Sequence, residues 1–374
     1  MNDASFTASC AGLPPIVSAG RLFKGDQGNP LLAPRGVFIT QGKLIVSDTG
    51  QNRVFIWDTL PTDLYCPPDV VLGQLDTQHT GRNSGTGVSA QTLQYPSGIW
   101  TDGKCLLICD AWNHRVLIWH TFPTVHGQPA DCVIGQPSFD QNQPNVAGIG
   151  AAPSAESLYW PYGVFSDGKQ VWVADTGNRR VLYYQEIPAA NFTSADAVIG
   201  QSSFTERDYD NQSAIWPYAV RVSPEGKMLI SDTQYYRTLV WQDWTTAFSQ
   251  SADIILGQPD FDGNGLNQYG LSPQQNTLSW TYDACFYQNG IWVADTGNSR
   301  ILWFDTVPSI HNSPAQNLLG HAHFHTGSEN ATTRYGTENQ LYWPFSLSVV
   351  GQTLAVADTG NHRVVLYDII PDLP

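Results

Sequence analysis

Charge is scarce in this 374-residue chain. Only 14% of its residues are Asp, Glu, Lys or Arg, and the formal net charge is −15. With 18 basic residues against 33 acidic ones, it lacks the clustered Lys and Arg that a phosphate backbone requires, so no nucleic acid is expected as a partner. No apolar run reaches the length of a membrane span, and the first residues (Met1 to Phe6) show neither the basic region nor the apolar core of a signal peptide. The expectation is a cytoplasmic protein, or a periplasmic or secreted one if a leader has been removed. The 6 cysteines lack metal-type spacing. Cys105 and Cys109 stand roughly 13 Å apart along one strand, too far for a disulfide. All are expected as free thiols, which favours a reducing compartment. Helical periodicity is missing, and so are the nucleophile elbow, the P-loop, Cys-x-x-Cys and His-Glu-x-x-His.

What is present is a repeat. Asp358-Thr359-Gly360-Asn361-His362-Arg363 recurs as Asp295 to Arg300 and as Asp175 to Arg180, with looser copies at Asp48 to Arg53, Asp110 to Arg115 and Asp232 to Arg237. An Asp precedes an Arg by five positions each time, and the period is roughly sixty, the mark of a solenoid or propeller. About fourteen residues before each Asp stands Pro34, Pro96, Pro161, Pro217, Thr281 or Pro344. Four short β-branched and aromatic runs follow in each copy, bounded by Gly, Asp and Asn, which reads as four strands per repeat. Asp-Thr-Gly-Asn then forms a tight hairpin, and its Asp–Arg unit is a fold signature, not a set of active sites. The fold class is all-β: a six-bladed β-propeller of four-stranded antiparallel blades.

Asn361-His362-Arg363-Val364 and Asn113-His114-Arg115-Val116 resemble the core of the NHL repeat. Val133-Ile134-Gly135-Gln136-Pro137-Ser138-Phe139 and Ile255-Leu256-Gly257-Gln258-Pro259-Asp260-Phe261 are similar to the version common in bacterial NHL proteins. The resemblance covers nearly the whole chain. It implies the propeller fold and leaves function open, because the family includes binding scaffolds, sensors and a few enzymes. Its amidating lyases hold zinc through ligands spread around the channel, a distribution not found here.

The chain is expected as a single domain, 1–374, with a loose arm at 1–12 and a strand at 13–20 that completes the sixth blade and closes the ring. The third-to-fourth strand links, such as Trp57 to Thr62, resemble one another and suggest packing. The blade-to-blade links 74–95, 136–160, 201–216, 258–280 and 321–343 are long, divergent and polar, where function is usually placed.

Departures from the repeat supply the site candidates. Trp216, Trp280 and Trp343 stand where the blades begin. The residues after the proline position, including Arg35, Tyr162, Tyr218, Tyr282 and Phe345, are expected near the channel mouth, where aromatics suit a polar or aromatic ligand, or form a structural collar. Asp283 and Arg221 replace Gly and Phe on innermost strands, either as general base and anion anchor with Tyr282, or as a buried ion pair. His321, His323 and His325 alternate along an extended segment and suit a divalent transition metal, Zn or Cu, with His79 as a further ligand. The reading is a ligand- or partner-binding propeller, taking a small ligand or a peptide or protein. An enzyme of lyase or hydrolase type at the same mouth, with or without a metal, is the alternative.

Overall fold

Residues 16–208 and 210–370 are described by the computed structural model. The expected arm at 1–12 and the start of the expected closing strand lie outside them. Among the described residues, 24 strands form six four-stranded antiparallel sheets, with only short 3-10 turns between. Blade three shows the plan: Pro161–Ser166 innermost, then Val171–Asp175, Arg180–Tyr184 and Ala197–Ile199 outermost. None of the helices is long and apolar enough to cross a membrane.

The core is shared between blades, not held within them. Six apolar clusters each join two neighbouring blades, so Phe55 and Trp57 of blade one pack with Ala355, Val364 and Leu366 of blade six. Each buried Leu or Val contributes about 1.5–3 kcal/mol, but only while its neighbour blade is in place. The ring therefore depends on closure. Closure falls to an N-terminal strand as expected, but the paired segment is Arg21–Phe23, later than residues 13–20. Phe23 is buried and meets the edge of Trp57. The described part of the expected segment runs beside the end of the same partner strand: Ser18 N donates to Asp368 O at 2.8 Å, Ile370 N donates to Ile16 O at 3.0 Å, and Val17 bridges Ile369. Register against Val364 to Leu366 carries the closing strand on to Leu22 and Phe23.

Each repeat residue has a bonding role. The Asp Oδ2 accepts from the Arg Nε at 2.6–2.8 Å in every blade, and both side chains are buried. Burial pushes the carboxyls of Asp48, Asp110, Asp175, Asp295 and Asp358 up, Asp48 to about 6, against the opposing pull of the Arg and of hydrogen-bond donors. The Thr hydroxyl donates to the carbonyl of the next blade's opening residue: Thr49 to Pro96, Thr176 to Pro217 and Thr233 to Thr281, each at 2.6 Å. Blade two has Ala111 at this place, so that inter-blade bond is missing there.

The residue before the Arg takes a left-handed conformation, and in four blades its side chain accepts the backbone N–H that precedes the next blade's opening proline. Asn52 Oδ1 takes that of Tyr95, His114 Nδ1 that of Trp160 and His362 Nδ1 that of Ala33, at 3.0–3.1 Å, and Ser299 Oγ that of Trp343 at 3.4 Å. Third-to-fourth strand links cap the preceding blade's outer edge. His126 Nδ1 accepts from Val71, Asn191 Oδ1 from Val133 and His311 Nδ1 from Ile255. Those links are edge covers, which keeps the outer strands from templating another chain. Among the described residues the cysteines Cys66, Cys105, Cys109, Cys132 and Cys285 are unpaired.

Candidate functional site

The same arginines hold the long blade-to-blade links. Arg180 Nη1 donates to Phe204 O at 2.6 Å, and its Nη2 to Ser154 O and Ser157 O. Arg115 does this for Phe139, Ser89 and Thr92. Asparagines in the links exchange amide bonds with hairpin asparagines: Asn83 with Asn113, Asn145 with Asn178, Asn267 with Asn298 and Asn330 with Asn361. The link asparagines sit at φ near +50°, a strain that Asn tolerates better than most residues. These loops are fixed parts of the scaffold. Sequence reasoning missed the asparagine pairs because neither partner repeats at an obvious spacing.

The loops surround a closed channel mouth. The residues following the opening position are Arg35, Ser97, Tyr162, Tyr218, Tyr282 and Phe345, one from each blade. Their rings pack on one another: Tyr162 stacks on Tyr218 at 4.5 Å, Tyr218 meets the edge of Tyr282 at 4.4 Å, and Tyr282 lies 4.1 Å from Phe345. Arg35 lies across them. Its guanidinium is 4.1 Å from the Phe345 centroid and 5.1 Å from that of Tyr95, and Nη1 donates to Tyr218 Oη, on the opposite blade, at 3.4 Å. Burial pushes the Tyr162 phenol up to about 12 and holds Tyr218 well above the usual phenol range, so both stay protonated.

Below this plug lie Arg221 and Asp283. Arg221 Nη2 donates to Asp283 Oδ2 at 2.9 Å, and the same oxygen accepts from Ser346 Oγ at 3.1 Å and Leu347 N at 3.0 Å. Burial raises the Asp283 carboxyl, while Arg221 and these donors favour its charge. The cavity between plug and pair holds about 20 Å³, room for about one water. In blades one to three the position of Asp283 is Gly36, Gly98 or Gly163, where an added Cβ would stand 2.0–2.7 Å from a backbone oxygen of the next blade. Blades four to six carry Ala219, Asp283 and Ser346 there.

Arg221, Asp283 and Tyr282 therefore share one cavity, and no histidine lines it. Residues 321–325 form bends and a turn, not an extended strand, so the alternation expected of His321, His323 and His325 does not operate. His321 Nε2 lies 3.1 Å from Asn298 O, close to the role of the repeat Gln, as when Gln136 Nε2 donates to His114 O. His323 and His325 stack in parallel at 5.3 Å, and His79 pairs with Asp76. Among the described residues no three His, Cys, Asp or Glu side chains gather to hold a metal.

Trp280 and Trp343, each two residues before a plug residue, are 40% and 43% exposed on the loop side, and Trp112 is 38% exposed. Trp112 stacks on Tyr95 at 4.6 Å, and its Nε1 donates to Tyr162 Oη at 3.4 Å. Trp216 is half-buried, and its backbone N–H donates to Asp232 at 2.9 Å, a bond given elsewhere by the residue two before the opening position. Trp216 is thus drawn into the scaffold.

No family model matches the chain. The human NHL repeat-containing protein 2 is 24% identical over 384 residues, covering 91% of this chain and 47% of that protein. The chain thus spans about half the length of this relative. Among solved structures, Kuenenia stuttgartiensis hydrazine synthase is similar at TM-score 0.49 and 13% identity, covering 91% of this chain and 97% of that one. A streptogramin B lyase is similar at TM-score 0.48 and 8% identity, covering 94% and 98%. Neither likeness bears on this chain's chemistry. The fold is a six-bladed β-propeller, and its sequence is similar to part of an NHL repeat-containing protein.

Proposed function

We propose that this propeller is a binding module that holds a peptide or protein partner on its loop face, around the plugged channel mouth. The observation that carries this reading is the exposure of Trp112, Trp280 and Trp343, on the hairpin and blade-entry segments, beside a mouth whose cavity holds about 20 Å³. Exposed aromatics on a rigid frame supply contact area at small entropic cost, the usual composition of binding hot spots. The loops under them are held by buried arginines and asparagine pairs, so little ordering is required on binding. The enzyme reading is less favoured. Asp283 and Arg221 are committed to each other beneath the plug, and no histidine accompanies them.

The test is selection of phage-displayed random dodecamer peptides on the full chain, beside a Trp112→Ser/Trp280→Ser/Trp343→Ser variant shown to be folded by its circular dichroism. Peptides enriched on the first and lost on the second are expected. Enrichment indifferent to the three tryptophans, or none at all, would remove the loop face as the binding site.

A further inference from the structure

Arg35 differs from every other arginine of the propeller interior. The six repeat arginines each face an aspartate, and Arg221 faces Asp283. Arg35 has no carboxylate within ion-pair distance among the described residues. Its contacts are one long bond to Tyr218 and the faces of Phe345 and Tyr95. A half-buried guanidinium carries five N–H donors in a planar fork, and leaving most of them without acceptors is costly. The chain has 33 acidic residues to draw on, yet none is set against this one. The geometry also limits where an anion can come from. Beneath Arg35 the cavity of about 20 Å³ is lined by Arg221 and Asp283, which already satisfy each other. The open side is the loop face, ringed by Trp112, Trp280 and Trp343.

We infer that Arg35 receives a single carboxylate of a partner peptide, an Asp or Glu side chain flanked by apolar or aromatic residues that pack on the tryptophan rim. This deepens the binding reading above and rests on it. A fork of N–H donors matches a carboxylate bidentately, and the flanking rings shield the pair from water. The whole protein selects against a polyacidic partner, since a net charge of −15 repels one. One acid amid apolar neighbours satisfies both the local cation and the global field.

The dodecamers enriched on the full chain are the probe. They are expected to share one Asp or Glu beside Trp, Phe or Leu. In titration calorimetry of a synthetic enriched peptide, replacing its acid by the matching amide should weaken binding at least tenfold. Arg35→Gln should cost the same factor, with no further loss when both changes are combined. Arg35→Lys keeps the charge without the fork and should retain part of the affinity. Melting curves of both variants check that the fold is intact.

Enriched peptides without a shared acid, or losses from Arg35→Gln and the amide that multiply independently, would overturn the inference. Equal stabilisation by sodium acetate or inorganic phosphate alone would overturn it in favour of a free anion. Binding that needs the tryptophans but ignores Arg35 would sink the carboxylate and leave the binding reading standing. No enrichment on the loop face would sink both.

Discussion

The hairpins and the channel mouth use the same side chain to opposite effect. At the hairpins, six arginines are buried against aspartates, and their remaining N–H groups reach loop carbonyls, as Arg180 reaches Ser154, Ser157 and Phe204. At the mouth, Arg35 lies among aromatic faces with a single long hydrogen bond. A satisfied buried cation is architecture, and what it touches is fixed. An unsatisfied one at a surface opening is an offer to something outside. Repetition marks the first kind and departure from repetition the second.

Breaking the architectural side should have the largest effect. Arg180→Ala leaves Asp175 buried without its partner and three loop carbonyls without their donor. Stability should fall by about 3–5 kcal/mol in urea denaturation. A loss under about 1 kcal/mol would mean the pair is no more than a surface salt bridge in effect.

One inter-blade acceptor, His114, is held from protonation by burial, which sharpens the comparison further. Burial holds the His114 imidazole down at about 4, and Nδ1 must be unprotonated to accept the Trp160 N–H. A histidine depressed by folding contributes stability that is complete above its unfolded value near 6.5, and loses it as pH falls toward 4. Asn52 does the same job in blade one without titrating, so His114→Asn is the control. The wild type should lose up to about 3 kcal/mol more than His114→Asn between pH 7 and pH 4. The difference is the readout, because a raised carboxyl such as that of Asp48 slopes the opposite way. Parallel profiles would show that His114 is not a load on folding at low pH.

A smaller gain is expected where the repeat is incomplete. Ala111→Thr should restore the missing bond to the Pro161 carbonyl and raise stability by about 1 kcal/mol. A lower melting temperature would mean that blades two and three have closed over the gap.

How much of this was legible in the sequence follows from what repeats. The Asp–Arg spacing carried the blade number and the hairpins, because every blade faces the same packing problem. The closing strand was legible in kind and not in extent, since it has no repeat hairpin before it and a three-residue pairing leaves little pattern to read. The histidines at 321–325 alternate as they would along an extended segment, but the chain turns there, and His321 stands in for a glutamine whose role only the folded loop reveals. Arg221 and Asp283 were legible as a departure, and their pairing as one of two options. That Arg35 spans the mouth to Tyr218 was not legible, because 183 residues separate them and only ring closure sets them opposite.

The most direct test joins the two properties in one variant. Arg35→Gln should keep its unfolding midpoint in urea within error of the wild type, while its affinity for an enriched acid-bearing peptide falls at least tenfold. A variant that loses stability as a repeat arginine would, yet binds that peptide unchanged, would make Arg35 one more piece of the frame and contradict its assignment as the partner's anchor.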